Sequence, residues 1–177
     1  LGYAEARQPD TDLIRVWEVA GTAHADAYLV GGSFAACPHG INDGPQHYVI
    51  TAAMEAFIAW VAGGPPPPRG ERIETEAPES TAIVRDELGL ALGGIRTPSV
   101  DVPVSVLSGD APADAEPICS LFGSSTPFDP APLAERYGDP QGYVEAFDAA
   151  LDQAIAAGFV RQTDREMYAA EARAVTF

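Results

Sequence analysis

Three histidines, His24, His39 and His47, are the side chains of this 177-residue sequence whose ordinary pKa lies nearest to neutral pH. His24 differs from the other two by its position, a few residues after the apolar segment 13–20 and in a loop of small residues. Sites in open α/β sheets form beyond the carboxyl ends of the strands. A histidine in this position can lie at the rim of a pocket and accept a proton at neutral pH, but position alone favours a surface or structural histidine.

Two segments must position this histidine. Residues 13–20 are rich in β-branched and aromatic side chains and end at Gly21, which predicts a strand largely buried on both faces. Residues 46–62 carry apolar side chains at a spacing of three to four, which predicts a helix with a face wide enough to pack on a sheet. Asn42 or Asp43 is expected to cap this helix.

The second half of the chain contains different elements. Four consecutive prolines at 65–68 predict a stiff polyproline connector. Residues 71–108 lack helical periodicity, which predicts irregular β-hairpins. A stripe of apolar residues at i, i+4 predicts a helix over 141–157, and a capping-box pattern predicts a last helix over 163–174.

Charge and hydropathy exclude several classes of partner. The chain has 10 basic residues, all arginine, against 26 acidic ones, and its net charge is −16. Phosphate binding needs a cationic stripe, so we expect neither a nucleic acid nor an anionic membrane surface as a partner. No run of apolar residues is long enough to span a bilayer. Because Leu1 is not an initiator methionine, we expect the chain to be the C-terminal piece of a longer protein.

A metal centre is the alternative function for the histidines. The candidate ligands are His24, Asp26, Cys37, His39 and His47. Zinc needs about four converging ligands, and the sequence contains neither CxxC nor HExxH spacing. We therefore expect neither a metal nor another cofactor.

Residues 17–26, WEVAGTAHAD, are similar to the last core strand and histidine loop of an α/β-hydrolase. More narrowly, they resemble the bacterial family described only as alpha/beta hydrolase domain proteins. Further segments support this resemblance and extend it over nearly the whole chain: GPQHYV at 44–49, GGIRTP at 93–98 with VDVP at 100–103, and CSLFG at 119–123 with TPF at 126–128.

The resemblance implies an α/β fold of which this chain is the C-terminal part. Residues 1–64 would contribute the last core strand, the histidine loop and a packing helix, and residues 65–177 would form an extension of irregular β-hairpins and C-terminal helices packed on that core. It also implies a serine hydrolase whose triad follows the chain order Ser, acid, His. His24 would be the general base, and the serine and the acid would lie before Leu1. The implied substrate is a small carboxylic ester, and the implied partner is the upstream part of the same protein.

Four other residues have expected roles with open alternatives. Asp26 could contribute to the substrate site or orient the histidine, or else structure the loop. Tyr28 could line the mouth of the pocket or only pack. Cys37 and Cys119 each fall in a segment that resembles the family, and they are expected either as a disulfide or as two separate buried thiols.

A function of another class remains as the alternative. The chain could be a non-catalytic module that packs on a partner domain and shapes a binding cleft. A free-standing interaction domain is disfavoured, because one core strand cannot form a sheet alone. On its own, the chain is therefore expected to expose an apolar sheet edge and an apolar helix face.

Overall fold

The computed structural model of the chain describes residues 4–32 and 35–177, so the first three residues of the N-terminal segment lie outside it. Over these ranges no helix is both long and apolar enough to cross a membrane. The helices and strands, in chain order, are α1 (Ala27–Val30), α2 (Gln46–Val61), α3 (Pro98–Asp101), β1 (Ser105–Ser108), β2 (Ser124–Pro127), α4 (Pro130–Tyr137), α5 (Pro140–Ala156) and α6 (Arg165–Arg173). Short 3-10 turns add Ala4–Ala6, Pro117–Leu121 and Gln162–Asp164.

Helix α5 is the centre of the larger hydrophobic core and confirms the helix predicted over 141–157. Asp139 caps it by accepting a hydrogen bond from the backbone N–H of Gly142 at 2.9 Å. Its apolar stripe, Tyr143, Phe147 and Leu151, is at most 3% exposed. These side chains pack against α6, and Tyr48 of α2 joins the same cluster by stacking on Tyr168.

Helix α6 begins two residues later than its capping box predicts. Thr163 and Glu166 do not form the box; Asp164 occupies the cap position, without a side-chain cap bond. Arg161 binds the carboxylate of Asp164 through two hydrogen bonds of 2.7 Å. Arg173 donates a hydrogen bond to the carboxylate of Glu166 at 2.6 Å. The expected capping carboxylate is thus engaged by an arginine on its own helix.

Helix α2 lies where the sequence places it, but its predicted cap is wrong. Pro45 occupies the cap position and no side chain caps the helix. The side-chain oxygen of Asn42 accepts a hydrogen bond from the backbone N–H of Gly44 at 2.8 Å instead. The two-residue spacing of this bond makes a tight turn before the helix, which leaves Asn42 too far back to reach the first helical N–H groups.

The outer face of α2 is apolar and open. Tyr48, Val49 and Ala52 on its inner face are buried. Residues of the outer face are between 50% and 71% exposed: Ile50, Met54, Phe57, Ile58 and Val61. A groove of about 420 Å³ runs between this helix and the segment around Leu13. The chain therefore exposes an apolar helix face, as expected from the sequence.

The strand predicted over 13–20 is wrong for most of its length. Only Val19 pairs, through a parallel bridge to Ile95 in which the N–H of Ile95 donates to the carbonyl of Glu18 at 2.7 Å. Leu13 is 89% exposed, which also contradicts burial on both faces. A strand exists only where a neighbour satisfies its backbone groups, and the described chain supplies that neighbour at one residue.

The predicted irregular hairpins are present between residues 72 and 95. They consist of isolated antiparallel bridges, Ile73 with Gly93, Thr75 with Ile83 and Arg85 with Ala91. The short helix α3 interrupts the extended character expected after residue 95. β1 and β2 then pair as an antiparallel ladder.

A buried ion pair joins these hairpins to the segment before the histidine. The Glu18 side chain is fully buried, and Arg7 donates to its two oxygens at 2.8 and 2.7 Å. The backbone N–H of Ile73 donates to the same carboxylate at 2.8 Å. The polyproline connector is fixed nearby, because Arg15 and Trp17 each donate to a proline carbonyl at 2.8 Å. Together these bonds fix the backbone of the segment that leads into the histidine loop.

Candidate active site

His24 is exposed in the loop that follows the Val19 bridge. It lines a cavity of about 510 Å³ formed between this loop, the hairpins and β1. The loop lies at the carboxyl end of the bridged segment, where the sequence expects a site. An imidazole in such a wall can meet a ligand from solvent.

The backbone on both sides of His24 is held by hydrogen bonds from distant parts of the chain. The side-chain amide of Gln46, the first residue of α2, donates to the carbonyl of His24 at 2.8 Å. The N–H of Ala25 donates to the carbonyl of Leu121 at 2.9 Å. These bonds fix the loop from the helix on one side and from the Pro117–Leu121 turn on the other.

Asn42, which the sequence predicts only as a helix cap, holds the backbone of the histidine loop. It is fully buried, and its amide nitrogen donates to the carbonyls of Gly21 and Ser108, each at 3.0 Å. Its backbone carbonyl also accepts from the N–H of Ala27 at 2.8 Å. Asn42 therefore ties both ends of the histidine loop to β1. Because its partners come from distant segments, only the folded chain reveals this role.

Gly21 makes the turn into this loop. Its φ of +70° lies in the left-handed region. A Cβ at this position would lie 2.7 Å from a methyl carbon of Val100. Both the conformation and the space therefore require glycine here.

A disulfide joins Cys37 to Cys119, with the two sulfurs 2.06 Å apart. Both cysteines are at most 3% exposed and pack with Ala25, Ile41 and Phe122. Cys119 lies in the same turn as the carbonyl that receives the Ala25 N–H. The disulfide thus braces the turn against which the histidine loop rests.

Asp26 structures the loop. It is 1% exposed, and one carboxylate oxygen accepts from the N–H of Leu29 at 2.9 Å, which caps α1. The other oxygen has no hydrogen-bond partner among the described residues. Asp26 does not line the cavity of His24. The structure therefore does not bring this carboxylate to the imidazole's cavity.

Tyr28 does not line the cavity of His24 either. It is 63% exposed, and its ring stacks on His47 with centroids 3.8 Å apart and planes 3° from parallel. It lines a second cavity of about 380 Å³ together with His47 and Glu171. The cavities of His24 and Tyr28 are thus distinct, and the expected mouth-lining role of Tyr28 has no contact to support it.

His47 lies between two tyrosine rings. Tyr28 covers one side, and the centroid of Tyr48 is 3.8 Å from that of His47. Both imidazole nitrogens are buried without a hydrogen-bond partner within the described ranges. Burial lowers the pKa of His47, although the carboxylates of Asp26 and Asp164 act in the opposite direction. The folded chain therefore holds this imidazole in its neutral form more strongly than the unfolded chain does.

This burial predicts that stability falls on acidification. Below the ordinary histidine pKa of about 6.5, the unfolded chain binds a proton that the folded chain takes up only at lower pH. The contribution of His47 to the free energy of unfolding should therefore decrease from pH 7.5 to pH 5.5, by at most about 1.4 kcal/mol per pH unit. His47→Phe, which retains an aromatic ring, should reduce this dependence.

Urea unfolding of the chain at the two pH values is the measurement, and Phe57→Leu, at an exposed aromatic position of the same helix, is the matched control. Because this control removes no titratable group, it should keep the pH dependence of the unmodified chain. A His47→Phe variant with the same pH dependence as the unmodified chain would show that burial of this ring does not affect its protonation.

The histidines do not form a metal centre in the described part of the chain, where no group of three or more His, Cys, Asp or Glu side chains could hold an ion. Cys37 is in the disulfide. A nitrogen of His39 lies 3.3 Å from the carbonyl oxygen of Gly123. The five candidate ligands are thus dispersed.

Two serines, Ser108 and Ser120, and two carboxylates, Glu18 and Asp110, line the cavity of His24, but they do not form a triad with it. Ser120 donates its hydroxyl proton to the carbonyl of Pro117 at 2.8 Å. Asp110 accepts from Arg85 at 3.2 Å. No hydrogen bond joins the His24 ring to either side chain in the described structure. The described residues thus place an exposed imidazole beside a cavity, and none of them is a serine that this ring activates.

Comparison with known proteins assigns the chain to a family. The sequence model of the family described as alpha/beta hydrolase domain matches residues 1–170. No curated protein and no solved structure matches the chain. The family match covers the histidine loop, the hairpins, both cysteines and most of the C-terminal helices. The chain therefore belongs to the alpha/beta hydrolase domain family.

Proposed function

We propose that this chain is the C-terminal part of a serine hydrolase that cleaves carboxylic esters, with His24 as the general base. The observation that carries the proposal is the exposed imidazole of His24 in the wall of a cavity of about 510 Å³, at the carboxyl end of the bridged segment. Membership of the family supports hydrolase chemistry. The geometry supports the role of this one residue.

The chemistry follows from the imidazole. His24 accepts the proton of a serine hydroxyl as the serine oxygen attacks the ester carbonyl. It then donates that proton to the departing alcohol, and water repeats the sequence on the acyl-enzyme. In this fold family the serine and the acid precede the histidine along the chain. We therefore place both of them before Leu1.

The open face of α2 supports packing on an upstream part of the protein. Five apolar side chains of this helix are at least half exposed, and Leu13 beside them is 89% exposed. Burying apolar surface stabilises a fold by about 25 cal/mol per Å², so an uncovered face of this size favours a partner. We propose that residues 1–64 complete a hydrolase core with that part, and that residues 65–177 pack on it.

The alternative is a non-catalytic module that shapes a cleft on a partner domain. One observation favours it: within the described ranges, neither Asp26 nor Tyr28 lines the cavity of His24, and Ser120 is not bonded to the imidazole. The two functions differ in what the upstream polypeptide must contain. An upstream segment without a serine on a strand–turn–helix elbow would favour the module.

Ester turnover by the longer protein tests the proposal. We expect that protein to hydrolyse neutral aryl esters and the 177-residue chain to be inactive. A fluorophosphonate should label one serine before Leu1 and abolish turnover, as peptide mapping would reveal. Labelling of Ser120 would show that the nucleophile is in this chain, and absence of both turnover and labelling would favour the non-catalytic module.

A further inference from the structure

The floor of the cavity beside His24 is apolar and rigidly packed. Ile73, Ala91 and Leu107 line it and are at most 5% exposed. They belong to one hydrophobic cluster that also includes Ala20 and Val100. A cavity whose floor is part of a packed core is largely preformed and does not need to collapse around its ligand.

The charged side chains of the same wall are already paired within the protein. The Glu18 carboxylate is bound by Arg7 and by the N–H of Ile73. Arg85 donates to the carbonyl of Gly89, and its other nitrogen donates to the side chains of Ser108 and Asp110. A charged group of a ligand would therefore lose its hydration shell on entering this cavity and find no unpaired side chain of opposite charge. This desolvation costs free energy.

The net charge of the whole chain also disfavours the binding of anions. The net charge of −16 repels an approaching carboxylate or phosphate over the distance that salt leaves unscreened. Cations are attracted at long range, but the exposed carboxylate of the cavity wall, Asp110, is engaged by Arg85. The cavity volume of about 510 Å³ lies within the range of small-molecule sites.

We propose that this cavity binds the neutral, apolar portion of the substrate, so that the preferred esters are uncharged ones with an alkyl or aromatic group. The inference rests on the proposed function in one respect, because only that function makes the bound molecule a substrate. It is tested by binding alone, so its failure is distinguishable from the absence of ester turnover.

Quenching of Trp17 measures binding directly, because Trp17 lines the cavity. The Trp60→Phe variant of the 177-residue chain leaves Trp17 as its one indole, since the sequence has two tryptophans. Three probes of equal length are ω-bromooctanol, ω-bromooctanoate and ω-bromooctylammonium, whose bromine quenches a nearby indole. We expect saturable quenching by the alcohol, with a Kd at least about ten-fold lower than for either charged probe.

Two further variants locate the bound probe, because Trp17 also lines the groove beside α2. Ile83 is half-buried in the cavity wall, and Ile83→Asp should weaken binding of the alcohol at least about ten-fold. Met54 lines the α2 groove and not the cavity, so Met54→Asp should leave the Kd unchanged. Ile83→Phe, which adds bulk without charge, should also weaken binding, and circular dichroism reports the folding of each variant.

Several outcomes would overturn the proposal. They are the absence of saturable quenching, equal or tighter binding of either charged probe, and a loss of binding in Met54→Asp that exceeds the loss in both Ile83 variants. The comparison of the three probes needs no cavity variant, so it decides the question even if the Ile83 variants fail to fold.

Discussion

Replacing His24 by alanine in the longer protein is expected to lower kcat for ester hydrolysis by roughly ten-thousand-fold or more. Without the imidazole, the serine hydroxyl keeps its proton and is a weak nucleophile. The groups that stabilise the oxyanion remain, which is why some turnover above the uncatalysed rate should persist. Steady-state kinetics with a neutral aryl ester measures this loss.

The His24→Ala variant should fold normally, which makes the kinetic result interpretable. The ring is exposed and makes no hydrogen bond to any described residue, so the free energy of unfolding should change by less than about 0.5 kcal/mol. His39→Ala is the matched control, because His39 does not line the cavity and should leave kcat unchanged. Unchanged turnover in His24→Ala would mean that another group is the base.

Local patterns in the sequence were sufficient for the two longest helices, α2 and α5, but not for the short helix α3, which lies where extended chain was expected. In α5 the cap, the first-turn proline and the apolar stripe all lie within 17 residues, and each of them acts on its neighbours alone. Helix α2 begins at the predicted residue although its expected cap is absent. Propensity and periodicity thus determine where these helices form. The details of a cap depend on competing partners, as in α6, where Arg173 binds the expected capping carboxylate of Glu166.

The segment 13–20 shows why a strand is harder to predict. Its β-branched and aromatic composition favours extension, but a strand also needs neighbours that satisfy its backbone groups. In the described chain Ile95 provides such a neighbour at Val19 alone. The sequence of one segment contains no information on whether its partner strand lies in the same stretch of chain.

The candidate site was predictable only in part. The position of His24 after an apolar segment and before a helix suggested a site, and the structure has this residue exposed beside a cavity. Gln46 and Asn42, which hold the loop, were not identified, because their partners are 21 to 66 residues away. The cysteines illustrate the same limit, since spacing alone left a disulfide and two thiols equally open.

Removing the disulfide should produce the largest loss of stability. The double variant Cys37→Ala, Cys119→Ala is expected to lower the free energy of unfolding by about 4–5 kcal/mol, the chain-entropy value for closing a loop of this length. The effect is large because the two cysteines are 82 residues apart. Without the bond, the unfolded chain gains the conformational entropy that closing so long a loop removes. Alanine avoids burying an unpaired hydroxyl where both cysteines are nearly inaccessible.

Urea unfolding with and without reductant measures this loss. Reductant should destabilise the unmodified chain and leave the double variant unchanged, so the variant is its own control for effects of the reagent. The local consequence should follow the contacts of Cys119: hydrogen exchange of the Ala25 amide, which donates to the carbonyl of Leu121, should accelerate in the variant. Two reactive thiols in the denatured, unreduced chain would contradict the bond itself, and a loss of less than 1 kcal/mol would mean that the unfolded state is already compact around these residues.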